Sequence, residues 1–505
     1  MLTDDCRIRV FMSKLAYYHP LSSILAGTIV LMACARGPGP RGAGSDTRTL
    51  VLSDCTIPNL DGDARCGSLD VFENRDARAG RIIRLRVAVL PARDGELRRD
   101  PIFIIVGGPG QSAVDNAAGY AALLAPLRSE RTLIFVDQRG TGASNPLPCD
   151  LYSAQPSGSL GDFMPLDAVR ACRQGLERVA DLRYYSSELA ADDLDDVRRA
   201  LGFEHINIEA ASYGTRVALI YLRRHSGHVR SVVLRSVSPP WVKQPLHFAE
   251  DAQAAFDSLA AACDAEPLCS SAFPRFREEI DSVLAQLAAH SVTVEVPATD
   301  SSTPARSVLL SRGAFAEKVR LMLYAPEVAS FLPLLVHRAA AGDFGPFAEL
   351  AEEMGQQIAR LASVGMYLSV TCTEDVAQIT PAEAGNTWPG TFLGDYRVRQ
   401  QQDACAVWPK GRLSADFAAP IRADVPVLLI SSTIDPITPS RWADEVARSL
   451  AYTRHILVPN AGHSPSNRCV MRIEHEFIRN ASHEGLDLRC LGEIRRPPFA
   501  LELPQ

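Results

Sequence analysis

The sequence has no C-x-x-C pair and no H-E-x-x-H stretch in its 505 residues. The commonest metal-ligand spacings are therefore missing, and neither a metal nor a cofactor is expected. Positive charge does not prevail: 52 Lys and Arg stand against 59 Asp and Glu, a formal net charge of -7. That balance gives no support to nucleic-acid binding and asks for no explanation beyond solubility. A comfortable membrane span is not found near the start either. The apolar run at 21–33 (LSSILAGTIVLMA) is too short for one.

That run suits the apolar part of an export signal instead, with Arg7, Arg9 and Lys14 ahead of it. Asp4 and Asp5 are unusual in such a place and point to Met12 as an alternative start. Leu31-Met32-Ala33-Cys34 resembles the bacterial lipobox, in which the cysteine becomes the lipidated first residue of the mature chain. Simple secretion is the alternative. The expectation is a lipoprotein-type signal over 1–33 and a flexible tether over 34–50, the latter carrying GPGPRGAG at 37–44. The protein then sits at the bacterial cell envelope or outside it, touching membrane only through the lipid.

Cysteine usage agrees with export. Of twelve cysteines, ten follow Cys34 and fall into successive close pairs: Cys55 with Cys66, Cys149 with Cys172, Cys263 with Cys269, Cys372 with Cys405, and Cys469 with Cys490. An even count in an exported chain points to disulfides. Connectivity does not follow from sequence, so sequential pairing is an expectation.

From residue 50 the chain alternates strand and helix patterns. Residues 82–91 alternate apolar and charged, as a half-exposed strand does, whereas 101–106 (PIFIIV) and 131–136 (RTLIFV) are nearly all apolar, as buried strands are. Gly107-Gly108-Pro109-Gly110 follows the first of these buried runs and Asp137-Gln138-Arg139-Gly140-Thr141-Gly142 the second. Asp137 and Arg139 read as a charged pair tying a structural turn. An amphipathic helix is expected at 189–201 and another strand at 229–237. Helical spacing dominates from Trp241, with helices expected at 248–262, 273–290, 314–324, 328–341 and 346–363. Buried strands return at 425–431 and 453–459. The alternation predicts an α/β fold with a mostly parallel sheet, split as 51–240 core, 241–415 helical cap and 416–505 core.

The chemistry centres on 206–225 (INIEAASYGTRVALIYLRRH), a buried strand, a turn and a helix. The turn, Ala210-Ala211-Ser212-Tyr213-Gly214, is close to the G-x-S-x-G nucleophile elbow of α/β-hydrolases, with Ala210 in place of the first glycine. A serine needs a base and an orienting acid, which that fold supplies in the order Ser, Asp or Glu, His, each on a loop after a strand. Asp435 follows the strand at 425–431 and His463 the strand at 453–459. The other histidines lack that placement; His205, His225 and His228 read as surface or helix-end residues. The oxyanion donors expected are the backbone N–H groups of Gly108 and Tyr213.

Taken together, the glycine loop at 107–110, the DQRGTG loop at 137–142, Ser212-Tyr213-Gly214-Thr215-Arg216, Asp435-Pro436 with Thr438-Pro439, and Gly462-His463 resemble the proline iminopeptidase and tripeptidyl aminopeptidase group of α/β-hydrolases, from about Cys55 to Cys490. The resemblance implies a secreted serine exopeptidase that removes short pieces from peptide N-termini under a helical cap that excludes long chains. Val106 stands where the family's glycine loop often begins with His. In the cap, Val370-Thr371-Cys372-Thr373-Glu374-Asp375 looks like the segment where relatives place an acid near the substrate amino terminus, making Glu374 the expected anchor and Asp375 its alternative. An esterase or amidase acting on small molecules uses the same triad, and a binding module on a dead hydrolase fold is the non-enzymatic alternative.

Overall fold

A computed structural model describes residues 50–93, 100–152, 157–296, 305–386 and 388–503. The expected signal, the lipobox Cys34 and the tether up to residue 49 lie outside the described residues. From Thr49 to Leu501 the chain forms one unit.

Its frame is a nine-stranded sheet in the order β1-β2-β3-β5-β4-β6-β7-β10-β11. The strands are β1 (Leu52–Cys55), β2 (Ala64–Phe72), β3 (Ile82–Leu90), β4 (Ile102–Ile105), β5 (Leu133–Val136), β6 (Ile206–Ala211), β7 (Val229–Arg235), β10 (Val427–Ser432) and β11 (Thr453–Val458). β1, β2, β3 and β5 pair antiparallel, and from β5 through β4, β6, β7 and β10 to β11 every pairing is parallel. The sequence explains the difference. Every side chain of β4, β5 and β6 is buried, as a parallel strand covered on both faces requires, while β3 begins with alternating exposure. The strand period of two sends Val87, Phe103 and Ile105 into one buried cluster and Ala88, Ile102 and Ile104 into another.

The helices that position the site are α1 (Ser187–Ala200), α2 (Tyr213–His225), α3 (Phe248–Ala265), α4 (Phe276–Ala289), α5 (Arg312–Met322), α6 (Leu332–Ala340), α7 (Gly345–Leu361), α8 (Val364–Glu374), α9 (Tyr396–Val407), α10 (Ser440–Ala447) and α11 (Arg468–Asn480). α1 starts at Ser186, whose hydroxyl accepts from Leu189 N–H, and ends with Arg198 and Arg199 against the negative end of the helix dipole. α3 to α7 match the five expected cap helices to within a few residues. The stretch between β7 and β10 also holds a hairpin of β8 (Val292–Val296) and β9 (Arg306–Leu310), which the helical reading of 241–415 did not contain. α8 was not expected either. It is buried on nearly every side, so its sequence has no polar stripe to give the helical period away.

Ten cysteines form the five sequential disulfides expected: Cys55–Cys66, Cys149–Cys172, Cys263–Cys269, Cys372–Cys405 and Cys469–Cys490. Each restricts the unfolded chain, a contribution on the order of 2–4 kcal/mol. Asp137 and Arg139 are structural but do not pair with each other. Asp137 accepts from Ser112 Oγ at 2.7 Å, Val114 N at 3.0 Å and Ala143 N at 3.1 Å. Arg139 forks onto both oxygens of Asp193 in α1, at 2.7 and 2.8 Å. The two side chains thus brace one loop from opposite directions.

Candidate active site

β6 runs directly into α2 through Ser212, which is held at φ 55° and ψ -130°. A non-glycine residue in that region is strained, and the strain is supported by fixed neighbours on both sides. The Ser212 N–H donates to the Arg235 carbonyl at 2.9 Å, and Thr215 Oγ donates to the Ser212 carbonyl at 2.6 Å. Close packing sets the small residues. A Cβ at Gly214 would lie 2.1 Å from the Ile105 carbonyl oxygen, so only glycine fits there. Ala210, by contrast, is an ordinary buried strand residue in register with Ile105 and Leu234, where its methyl is accommodated. The absent first glycine therefore leaves the elbow intact.

The three residues expected to work together are brought together. His463 Nε2 lies 2.9 Å from Ser212 Oγ. His463 Nδ1 lies 2.9 Å from Asp435 Oδ2 and 3.1 Å from Oδ1. Asp435 is buried, which opposes its ionisation. The His463 ring and a set of donors overcome that and hold its carboxyl well below the usual carboxylate range. Those donors are Ile437 N at 3.0 Å, Thr438 N at 2.9 Å, Thr438 Oγ at 2.9 Å and Ser236 Oγ at 2.8 Å. An ionised Asp435 fixes a proton on Nδ1 and leaves Nε2 to accept from Ser212, the tautomer a general base needs.

The glycine loop lies across the serine. A Cβ at Gly107 would be 3.4 Å from Ser212 Oγ, which places Gly107 beside the nucleophile and Gly108 next along the loop. Tyr213 opens α2, so its N–H is among the first-turn donors without an intrahelical acceptor.

Glu374 and Asp375 end α8 beneath the elbow helix. Glu374 is 2% exposed, and both its oxygens already have donors. Ser187 N reaches Oε1 at 2.6 Å, Ser187 Oγ reaches Oε2 at 2.7 Å, and Arg216 Nη1 lies 3.3 Å from Oε2. Burial pushes the Glu374 carboxyl up to about 7, with Arg216 working in the opposite direction. Asp375 holds the other side of the same guanidinium, at 2.9 and 3.1 Å. The Ser187 hydroxyl also lies 3.0 Å from Tyr213 OH, so this cluster touches the residue after the nucleophile.

Sequence reasoning missed Ser236, Ser187 and Tyr324, just past the end of α5, whose carbonyl accepts the His463 N–H at 2.8 Å. Ser236 had a readable signal, since it directly follows a buried strand at the carboxyl edge where sites collect. Ser187 and Tyr324 had none, because each reaches the site only through tertiary packing. Among the described residues no cluster of His, Cys, Asp and Glu is arranged to hold a metal ion.

A mostly parallel sheet carrying a serine, histidine and carboxylate in this order and geometry defines an α/β-hydrolase. Residues 100–272 match the family model described as alpha/beta hydrolase fold, and residues 390–490 match the one described as TAP-like protein. The fold is that of the α/β-hydrolases, and the last part of the chain is similar to TAP-like proteins. Serine protease Hip1 of Mycobacterium tuberculosis is 24% identical over 480 residues, spanning 85% of this chain and 88% of the relative. Carboxylesterase B of the same organism is 27% identical over 469 residues, spanning 85% and 86%. Tripeptidyl aminopeptidase of Streptomyces lividans is 28% identical over 227 residues, spanning 41% of each chain.

Proposed function

We propose that the protein is an exported serine peptidase that releases short fragments from peptide N-termini through an acyl-enzyme on Ser212. The observation that carries this reading is the continuous chain of contacts from Asp435 through His463 to Ser212 Oγ, each link at 2.9 Å. In the first step Ser212 Oγ attacks the scissile carbonyl and His463 Nε2 takes its proton. The carbonyl oxygen becomes an oxyanion that the N–H groups of Gly108 and Tyr213 receive. His463 then gives the proton to the leaving amine, and the amide bond breaks. A water, deprotonated by His463, attacks the ester; Ser212 recovers its proton and the acid leaves. Asp435 stays ionised throughout and stabilises the imidazolium.

The exopeptidase part rests on the relatives named as peptidases and on the acidic end of α8. An aminopeptidase must meet a charged amino group with an anion inside the cap. Glu374 is proposed for that part, with an exchange: the ammonium takes the place of a Ser187 donor and keeps the carboxylate ionised. Export is supported by the five disulfides, which persist in an oxidising compartment. Attachment through a lipidated Cys34 completes the proposal.

Hydrolysis of small esters is the second reading, favoured by the relative named as a carboxylesterase and by a triad that serves any acyl transfer. A panel of free peptides, N-acetylated peptides and simple esters decides between them. The peptidase reading expects turnover of free peptides and strong loss on acetylation. Full activity on acetylated peptides contradicts the aminopeptidase, and activity confined to esters contradicts the peptidase.

A further inference from the structure

The loop that carries His463 is gripped by Tyr324, which lies just past the end of α5. The His463 N–H donates to the Tyr324 carbonyl at 2.8 Å. The two rings meet at an interplanar angle of 64° with centroids 5.1 Å apart. The approach is tight enough to dictate the preceding residue: a Cβ at Gly462 would lie 2.2 Å from the same carbonyl oxygen. Tyr324 is itself held. Its N–H donates to the Leu321 carbonyl at 3.1 Å, and its hydroxyl accepts from Arg320 Nη1 at 3.3 Å. Arg320 is fixed in turn by Glu317, through Nε at 3.0 Å and Nη2 at 2.5 Å, and Glu317 also takes Arg397. A buried ion cluster in the cap therefore reaches the imidazole through one aromatic ring.

The hydrogen bonds that Nδ1–H donates to Asp435 and that Nε2 accepts from Ser212 hold the two ring nitrogens of His463. They leave the tilt of the ring about the line joining them to be set by packing, and Tyr324 is the aromatic ring in contact with it. We infer that Tyr324 is a positioning residue, whose ring and carbonyl together hold His463 at the angle from which Nε2 reaches Ser212 Oγ. The inference rests on the Ser212 chemistry proposed above. It also gives the cap a role beyond screening substrates, since the cap becomes part of the machinery that aims the base.

Active-site titration with a fluorophosphonate, followed by ester turnover per titrated site, tests it. Tyr324→Leu keeps the main-chain carbonyl and removes the ring. Its kcat per titrated site should fall about 10- to 100-fold, as a displaced base costs, while KM stays within about twofold. Tyr324→Phe, which restores the ring, should recover the rate to within about threefold of the wild type, the hydroxyl being a support one step removed. A purely structural role would instead lower the fraction of sites that titrate and leave the rate per site unchanged; that result overturns the inference, as does a wild-type rate in Tyr324→Leu. If Tyr324→Leu does not fold, Tyr324→Met is judged by the same two results. Failure of the wild type to label at Ser212 would contradict the serine-hydrolase reading itself, and the inference with it.

Discussion

Ser236 joins the two loops that carry the acid and the base: its Oγ donates to Asp435 Oδ2 at 2.8 Å and accepts the Ser464 N–H, also at 2.8 Å. One hydroxyl thus stabilises the ionised carboxylate and fixes the residue after His463. Ser236→Ala removes a hydrogen bond to a charged group and leaves the Ser464 N–H without this acceptor, a loss of about 1–3 kcal/mol. Turnover on a simple ester should fall about tenfold or more, each ~1.4 kcal/mol being worth a factor of ten. Wild-type kcat in a folded Ser236→Ala protein would show that Asp435 and His463 hold their places without it.

Glu374 is expected to separate substrates by charge. Glu374→Gln should raise KM for free peptides about tenfold or more, because a charge-assisted contact to the ammonium is lost. Ester hydrolysis should change little, since Ser212, His463 and the donors of the oxyanion remain. Acetylating the peptide should mimic the substitution, and the two losses should not add, because both remove one contact. Equal losses on peptide and ester would assign Glu374 to holding Ser187 and Arg216 alone.

Asp251, in the first turn of α3, gives the fold a pH signature. Burial pushes its carboxyl from the ordinary 3.8 up to about 8, while Arg441 acts the other way. Between those two values the folded protein holds a proton that the unfolded chain has released. Stability contributed by the neutral acid is therefore present at low pH and lost as pH rises through about 8. The thermal midpoint of the wild type should fall between pH 5 and pH 8 more steeply than that of Asp251→Asn, which cannot ionise. Parallel curves for the two proteins would contradict this.

The sequence made the centre of the site readable because each of its parts is local. Ser212 sits between a β-branched strand and a helix, and Asp435 and His463 each follow an apolar run, so strand ends alone located them. The sheet was readable for the same reason: parallel strands such as β4 and β5 are uninterrupted apolar runs. What stayed hidden depends on contacts across the chain. Ala210 looked like a defect in the elbow, yet its methyl lies in the body of β6, and Gly214 is the position where the Ile105 carbonyl leaves no room. α8 carried no helical period because it is buried almost all round, and Ser187, Ser236 and Tyr324 acquire their parts only when α1, β7 and the end of α5 converge on the elbow. Glu374 stands out through the family resemblance of 370–375, but sequence carries no sign that Ser187 and Arg216 already occupy it.

The account stands on Ser212 as the nucleophile, and covalent labelling tests that most directly. After reaction with a fluorophosphonate, peptide mapping by mass spectrometry should place a single adduct on Ser212. Ser212→Ala should take no label and should lose about 10⁴-fold or more in kcat while keeping its thermal midpoint. An adduct on another residue, or near wild-type turnover in Ser212→Ala, would contradict the account.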